Sequence, residues 1–252
     1  MNYNWNWHIF WEASPDGSGT YLDVLLNGLQ WTLATSLLAA ALAFLFGSVI
    51  GVMRTTPSRT LRAIGTVYVE LFRNIPLLVQ MFLWYFVLPE LLPSAMGNWV
   101  KAMAPPWASF FPAVTCLAFF TSARVAEQVR AGIESLSSGQ RLAGLATGLT
   151  LAQTYRYILL PVVYRIITPT LTSELMNVIK NSSVALTISL VELTSAARSM
   201  QEFSFQVFEA FTAATLIYVF INVVVVIVMR ILEKKTTIPG FFSGETDRPV
   251  SD

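Results

Sequence analysis

The uncharged run from Val24 to Met53 is the feature that most limits how this chain can fold. A helix needs about 20 predominantly apolar residues to cross the hydrocarbon core of a bilayer, and this run is longer. Over the whole chain 54% of residues are hydrophobic and only 12% are charged, so a water-soluble fold would have too little polar surface to cover its apolar side chains. The run therefore predicts a transmembrane helix that tilts or protrudes.

Four more apolar stretches follow the first. The predicted spans are Val24–Met53, Val67–Leu88, Trp107–Val129, Ile166–Leu190 and Ala210–Met229. Charged residues interrupt the second and the fourth of these stretches. The pattern predicts an all-α integral membrane protein with about five transmembrane helices.

Lys and Arg residues are unevenly distributed among the loops. Eleven of them lie between spans one and two, between spans three and four, or in the tail: Arg54, Arg59, Arg62, Arg130, Arg141, Arg156, Arg165, Arg230, Lys234, Lys235 and Arg248. The opposite loops contain only Lys101 and Arg198. Since cytoplasmic loops carry the excess of cations, the N-terminus is predicted outside and the C-terminus inside. We interpret Arg54, Arg59 and Arg62 as topology signals only.

Composition excludes several classes of function. The 16 Lys and Arg residues nearly balance the 15 Asp and Glu residues, so the chain lacks the basic face that nucleic-acid binding requires. One cysteine, Cys116, and one histidine, His8, are too few for a disulfide framework or a metal cluster. We predict no catalytic residue and no metal site. No Lys or Arg precedes Arg54, so the first run is expected to remain as a helix rather than act as a signal peptide.

The loop between spans three and four is semi-polar and too mixed to cross a membrane. Ser137 or Ser138 can cap a helix over residues 139–146, and Gly148 suits a left-handed residue after it. Thr150 can cap a second helix that ends before Pro161. One face of the first helix gathers Leu142, Leu145 and Ala146 and leaves Arg141 on another face. Periodicity alone leaves two readings open, a helix that docks into a partner's groove and a helix that lies on lipid.

The same loop resembles the signature loop of the permease subunits of binding-protein-dependent ABC importers. The family pattern is Glu-Ala-Ala, three residues, Gly, nine residues, Ile, one residue, Leu-Pro, and it is matched here by Ala143, Gly148, Ile158, Leu160 and Pro161. The chain departs from it with Leu142 in place of Glu and Gly144 in place of the second Ala. Residues 68–80 and 126–133 also resemble the polar amino acid branch of this family, especially glutamate/aspartate importer permeases.

This resemblance implies an assembly of two permease subunits and two ATPase subunits in the bacterial inner membrane, fed by a periplasmic binding protein. The second permease is either identical or homologous. The implied domains are a periplasmic segment (1–22), a transmembrane permease domain (23–233) and a cytoplasmic tail (234–252). The residues expected to couple the chain to the ATPase are Gly139, Gln140, Ala143, Gly144, Gly148, Ile158, Leu160 and Pro161. The chain contains no Gly-x-x-x-x-Gly-Lys-Ser/Thr loop, so ATP and Mg²⁺ are expected on the ATPase chain.

Polar residues inside the spans are candidates for a substrate pathway, because an ionisable group in a membrane needs a partner or a wet cavity. In span four Thr170, Glu174, Asn177 and Asn181 recur at helical spacing on one face. This stripe either lines the pathway or bonds to neighbouring helices. In span two Pro76 predicts a kink, and Gln80 beyond it is a pathway candidate.

Two groups of charges near the cytoplasmic side suggest ion pairs. Glu70 and Arg73 are three residues apart and can pair with each other or extend toward the interface. Arg124, Glu127 and Arg130 recur every three residues in span three and can form a ladder. Arg124 lies deepest of the cations in this span, and its planar guanidinium suits a substrate carboxylate. The alternative is an internal ion pair between Arg124 and Glu127. The predicted pathway residues are Gln80, Arg124, Glu127, Glu174, Asn177 and Asn181.

Two other classes of membrane protein remain as alternatives. An ion-coupled secondary transporter would need no ATPase, and it would commonly show an internal repeat, which is not apparent here. A small channel would explain the apolar spans but not the spacing of the signature loop.

Overall fold

The computed structural model describes residues 3–15, 17 and 19–236, and these residues are mostly helical. The predicted tail, including Arg248, lies largely outside the described residues. The α-helices of the described residues are α1 (Tyr21–Thr55), α2 (Arg59–Asn74), α3 (Leu77–Phe82), α4 (Leu88–Leu91), α5 (Ser94–Lys101), α6 (Trp107–Glu134), α7 (Ser138–Ala146), α8 (Leu151–Thr154), α9 (Leu160–Asn181), α10 (Leu193–Ser204) and α11 (Val207–Thr236). Wide π-helical turns occupy Leu83–Val87 and Tyr155–Leu159, and short 3₁₀ helices occupy Trp7–Trp11 and Ser182–Ile188.

Four helical stretches are long and apolar enough to cross a membrane: Tyr21–Thr55, Trp107–Glu134, Leu151–Ile188 and Val207–Lys235. They correspond to the first, third, fourth and fifth predicted spans. The fourth begins at Leu151 instead of Ile166 and ends at Ile188 instead of Leu190, whereas each of the other three contains its predicted span. An all-helical membrane fold with about five spans is thereby confirmed. The side of the membrane on which each loop lies stays a prediction.

The second predicted span is not one straight helix. It consists of Arg59–Asn74 and Leu77–Leu91, which are bent by 103° relative to each other. The bend lies at Pro76, which has no amide hydrogen to continue the helical bonding. Buried Gln80 stabilises it, because its Nε2 donates to the carbonyl oxygens of Phe72 at 2.8 Å and Ile75 at 2.9 Å. The predicted kink is therefore a full break, and the side chain of Gln80 holds the two halves together.

Helix α6 lies at the centre of the fold and packs along α1. The buried face of α1 is built from small residues spaced three or four apart, namely Gly28, Thr32, Ser36, Ala39, Ala43, Gly47 and Gly51. Small side chains allow two helix backbones to approach closely inside a membrane, where packing and not hydrophobicity drives association. A Cβ atom added at Gly47 would lie 2.6 Å from the Cβ of Val125 and 2.8 Å from the carbonyl oxygen of Ser122.

The segment that joins spans four and five is fixed by Glu192. This carboxylate is fully buried and accepts bonds from the backbone N–H groups of Thr194 and Ser195 at the start of α10, and from the hydroxyl of Tyr218 on α11. Burial raises the pKa of Glu192 above its usual value, and these bonds oppose that shift. Glu192 thus ties α10 to α11.

Candidate functional site

Helix α7 presents an unpartnered apolar face to the surroundings. Leu142 is 58% exposed and Leu145 is 41% exposed, while Gly144 on the opposite side is buried. Arg141, one helical turn before Leu145, is half-buried and lines a cavity of about 290 Å³. The predicted exposed leucines are therefore present, and Arg141 differs from them by its partial burial.

A sharp turn at Gly148 follows α7. Gly148 has a φ of +85°, which L-residues with a side chain rarely adopt. The N–H of Leu149 donates to the carbonyl of Gly144 at 3.2 Å, and the N–H of Gly148 donates to that of Leu145 at 3.0 Å. These two bonds form a Schellman motif, which ends α7 and satisfies its last carbonyl groups. The predicted left-handed glycine is confirmed.

The predicted helix caps are only partly present. Thr150 forms a capping box with Gln153, in which Thr150 Oγ1 accepts from the backbone N–H of Gln153 and the Gln153 side chain accepts from that of Thr150. Ser137 occupies the N-cap position of α7, but its side chain makes no capping bond there.

The prediction that the second helix of the loop ends before Pro161 is wrong. The chain passes from α8 through the π-helical turn Tyr155–Leu159 directly into α9, where Pro161 occupies the first turn. Proline is tolerated in the first turn of an α-helix because its missing N–H is not needed there. The wide turn thus lets one continuous helical stretch run from the loop into span four.

Some of the other residues predicted to couple the chain to the ATPase pack inside this chain, and others are exposed on its surface. Gly144 packs against Ile158 and Thr154 so closely that an added Cβ would lie 2.8 Å from each side chain. This contact gives a reason for glycine where the family pattern has alanine. Leu160 packs against the core beside Val163. The remaining predicted coupling residues are Gly139, Ala143 and Pro161, which are exposed, and Gln140, which is half-buried.

Glu127 is the centre of a charge cluster at the cytoplasmic half predicted for span three. Its carboxylate lies 2.5 Å from Arg54 Nη1, 3.0 Å from Arg130 Nε and 3.4 Å from Arg73 Nη1. The Arg54 side chain is only 10% exposed, so it depends on Glu127 for its counter-charge. Arg54 is therefore more than a topology signal. The sequence could not indicate this contact, because 73 positions separate the two residues.

Arg124 does not pair with Glu127, so the predicted ladder is only half present. The nearest ion-pair distance joins Arg124 Nη1 to Glu174 Oε2 and is 3.9 Å. The guanidinium also lies over the ring of Phe120, 4.7 Å from its centroid, which is a cation–π contact. Of the two arrangements predicted for Glu70 and Arg73, their mutual ion pair is not formed, and Glu70 accepts from Asn74 Nδ2 at 3.0 Å.

Five of these charged residues line one open cavity of about 590 Å³. Its lining residues are Arg73, Arg124, Glu127, Gln128, Arg130, Ala131 and Glu174. Three of the six predicted pathway residues thus share a cavity, namely Arg124, Glu127 and Glu174. Arg73 and Gln128 were missed, although Gln128 donates to Glu174 Oε1 at 3.2 Å and lies one residue after Glu127.

The other three predicted pathway residues lie elsewhere. Gln80 is 2% exposed and its amide group is bonded at the break between α2 and α3. Asn177 and Asn181 are half-buried along the last turns of α9 and do not line this cavity. The part of the chain that the structure describes contains no group of three or more His, Cys, Asp or Glu residues able to hold a metal ion.

Two curated relatives are similar to this chain over most of its length. The glutamate/aspartate import permease protein GltJ of Escherichia coli (strain K12) is 50% identical over 246 residues, which cover 97% of this chain and 100% of the relative. The probable glutamine ABC transporter permease protein GlnM of Bacillus subtilis (strain 168) is 33% identical over 213 residues, or 84% of this chain and 93% of that relative.

Solved structures have the same fold. The crystal structure of an amino acid ABC transporter with histidines has a TM-score of 0.70 at 29% identity, and covers 85% of this chain and 95% of that one. The MetNI methionine ABC transporter, in an inward-facing conformation, has a TM-score of 0.70 at 19% identity and supports the fold alone. Residues 24–238 match the family model described as binding-protein-dependent transport system inner membrane component. The chain therefore belongs to the family of inner membrane components of binding-protein-dependent transport systems.

Proposed function

We propose that this chain is the permease subunit of an ATP-driven importer that carries an acidic amino acid, glutamate or aspartate, across the inner membrane. A periplasmic binding protein delivers the substrate, and a second permease subunit completes the pathway. A separate ATP-binding subunit hydrolyses ATP with Mg²⁺. The observation that carries this proposal is the 50% identity with a glutamate/aspartate import permease over that relative's whole length.

The cavity on span three supports an acidic substrate. It contains three arginines, Arg73, Arg124 and Arg130, and two carboxylates, Glu127 and Glu174. Arg124 has the longest ion-pair distance of the three, 3.9 Å to Glu174, which is too long for a hydrogen bond, and its side chain is 41% exposed. A substrate carboxylate can bond to this guanidinium by two parallel hydrogen bonds.

The exposed apolar face of α7 supports the proposal that a separate ATPase subunit binds this chain. Leu142 and Leu145 are held outward by the buried contact of Gly144 with Ile158 and by the turn at Gly148. A small amphipathic helix with an apolar face fits a groove on a partner protein. We assign α7 as the element that docks into the ATP-binding subunit.

Replacing Arg124 with glutamine tests the substrate assignment. We expect the substrate concentration for half-maximal glutamate uptake to rise about 10-fold or more in proteoliposomes with the complete importer, since charged hydrogen bonds contribute about 1.5–3 kcal/mol. The matched control is Arg198→Gln, because Arg198 is 58% exposed and pairs with Glu202 on α10, outside the cavity. Both measurements use saturating binding protein.

Competition of wild-type uptake provides the decisive result. Unlabelled aspartate should displace labelled glutamate, whereas glutamine, arginine and histidine should displace it weakly. If arginine or histidine competes better than glutamate, the acidic substrate is wrong. Equal uptake kinetics for Arg124→Gln and Arg198→Gln would remove Arg124 from the pathway.

Replacing Gly148 with valine tests the coupling assignment. A β-branched residue is strained at a φ of +85°, and a non-glycine left-handed residue costs about 1–3 kcal/mol, so α7 should lose its fixed orientation. We expect an assembled complex whose ATP hydrolysis no longer drives uptake. ATPase activity and glutamate uptake are measured on the same proteoliposomes, with Gly17→Val as the control, because Gly17 is an exposed glycine with a similar φ of +73° that lies outside the loop between spans three and four. Uptake at the wild-type rate would contradict a coupling role for this turn.

A further inference from the structure

The last two residues of α1 make long-range bonds in two different directions. Arg54 Nη1 lies 2.5 Å from Glu127, which lines the open cavity of about 590 Å³. Under the proposed function, this is the transport cavity. The single hydroxyl hydrogen of Tyr155 is shared between two acceptors on Thr55, the carbonyl oxygen at 3.0 Å and Oγ1 at 3.1 Å. The end of α1 therefore touches both the cavity and the segment that carries α7.

Tyr155 lies where a movement of α7 would displace it. It is 5% exposed and is the first residue of the π-helical turn Tyr155–Leu159. The same turn contributes Ile158, which packs directly beneath Gly144 of α7. A displacement of α7 that keeps this close packing must displace the turn as well. π-Helical turns within α-helical stretches are frequent at functional positions.

The bond to Thr55 is an unusual way to end a helix. The final carbonyl groups of an α-helix lack partners within the helix, and a capping residue nearby in sequence or water commonly satisfies them. Here the partner is the phenol of a tyrosine 100 positions away. Packing alone would be satisfied by phenylalanine, so the hydroxyl adds a directional link between two separate elements.

We propose that Tyr155 is a positioning residue that transmits movement of α7 to the transport cavity through Thr55 and Arg54. This inference rests on the proposed function. The cavity is then reached by two routes. One runs along the continuous helical stretch from the turn into α9 and ends at Glu174. The other crosses to α1 through the Tyr155 hydroxyl and ends at Glu127.

The two routes end on the two carboxylates that face the cavity arginines. Glu174 faces Arg124, and Glu127 holds Arg54, Arg73 and Arg130. Moving one carboxylate relative to the other changes which guanidinium groups are free to bind a substrate carboxylate. Loss of the Tyr155 link should therefore separate ATP hydrolysis from transport while leaving α9 able to move.

The test is Tyr155→Phe in the complete importer, reconstituted in proteoliposomes with its ATP-binding subunit and binding protein. We expect the ATP hydrolysed per substrate molecule transported to rise about 3- to 10-fold, in line with the loss of one hydrogen bond. The control is Tyr157→Phe, because Tyr157 is 61% exposed in the same turn and its ring contact with Arg156 needs no hydroxyl. It should leave the ratio unchanged.

A second variant, Thr55→Val, removes the Oγ1 acceptor and keeps the carbonyl, so its ratio should rise less than that of Tyr155→Phe. An unchanged ratio in Tyr155→Phe, or an equal fall in ATP hydrolysis and uptake, would overturn the proposal. If Tyr155→Phe does not assemble, Thr55→Val decides by the same ratio, and an unchanged ratio again overturns it. The labelled substrate is the amino acid that the wild-type importer is found to carry. A wrong substrate assignment would therefore show as absent glutamate uptake in the wild type, whereas a wrong role for Tyr155 would show as an unchanged ratio in the variant.

Discussion

Gly47→Leu is expected to prevent the chain from folding into a stable permease. A Cβ atom at this position would lie within 3 Å of both Val125 and the backbone oxygen of Ser122, so α1 and α6 would have to move apart along their whole interface. Overpacking a well-filled core costs about 1–3 kcal/mol and sometimes more, and a backbone neighbour cannot move aside as a flexible side chain can. The yield of monodisperse complex in detergent should fall to a small fraction of the wild-type yield.

The matched control is Val49→Leu, two residues away on the same helix. Val49 is 53% exposed and lies on the side of α1 opposite Gly47, so a larger apolar side chain has room there. Its yield and thermal stability should equal those of the wild type. A Gly47→Leu complex with wild-type melting behaviour would show that α1 and α6 are not packed as the structure has them.

Glu127→Gln is expected to have the second-largest effect. The carboxylate is shared by Arg54, Arg73 and Arg130, and Arg54 is only 10% exposed. Breaking a buried ion pair by removing one partner costs about 3–5 kcal/mol, because the other charge stays buried without compensation. The remaining exposure of Glu127 places the expected loss near the lower end of that range. Thermal unfolding of the purified complex measures it, and uptake should be nearly lost.

Glu202→Gln is the control for charge removal. Glu202 pairs with a single partner, Arg198, and both side chains are more than half exposed, so this substitution should change stability by less than about 1 kcal/mol. Similar melting temperatures for the Glu127 and Glu202 variants would mean that the cluster around Glu127 is solvated in the assembled importer and contributes little to its stability.

Apolar length was enough to predict four of the spans, because a bilayer imposes a minimum length that sequence reveals directly. The second span was harder to predict. Pro76 showed where regular bonding stops, but the size of the bend depends on which groups satisfy the freed carbonyl oxygens. Gln80 satisfies them by donating from its side-chain amide. From the sequence alone, Gln80 was recognisable only as a polar residue in an apolar segment.

The small-residue face of α1 is visible in the sequence but was not predicted as a packing surface. Ala39, Ala43, Gly47 and Gly51 recur every four residues, which places them on one side of the helix. This spacing is the signal for close helix packing in a membrane. Which helix would fill that face was not accessible from spacing, since the partner Val125 comes from a distant part of the chain.

The site could be predicted in its composition but not in its pairings. Local spacing identified Glu127 with Arg130, a pair three residues apart that the structure contains. It could not assign Arg124 to Glu174, because that distance depends on how α6 and α9 pack. Likewise, the left-handed conformation of Gly148 could be predicted because glycine adopts it without strain. The continuation of the helix through Pro161 could not be predicted, because it depends on the π-helical turn Tyr155–Leu159 and no residue type signals such a turn.

The broken second span has a consequence for how the permease can move. Gln80 holds both carbonyl groups at the bend through one amide nitrogen, so opening or closing the angle between α2 and α3 would strip bonds from buried acceptors. The bent pair α2–α3 should therefore move as one rigid unit. Arg73 lies one residue before the end of α2 and moves with this unit. A rotation of the unit would therefore change the distance between the Arg73 guanidinium and Glu127 without unwinding any helix.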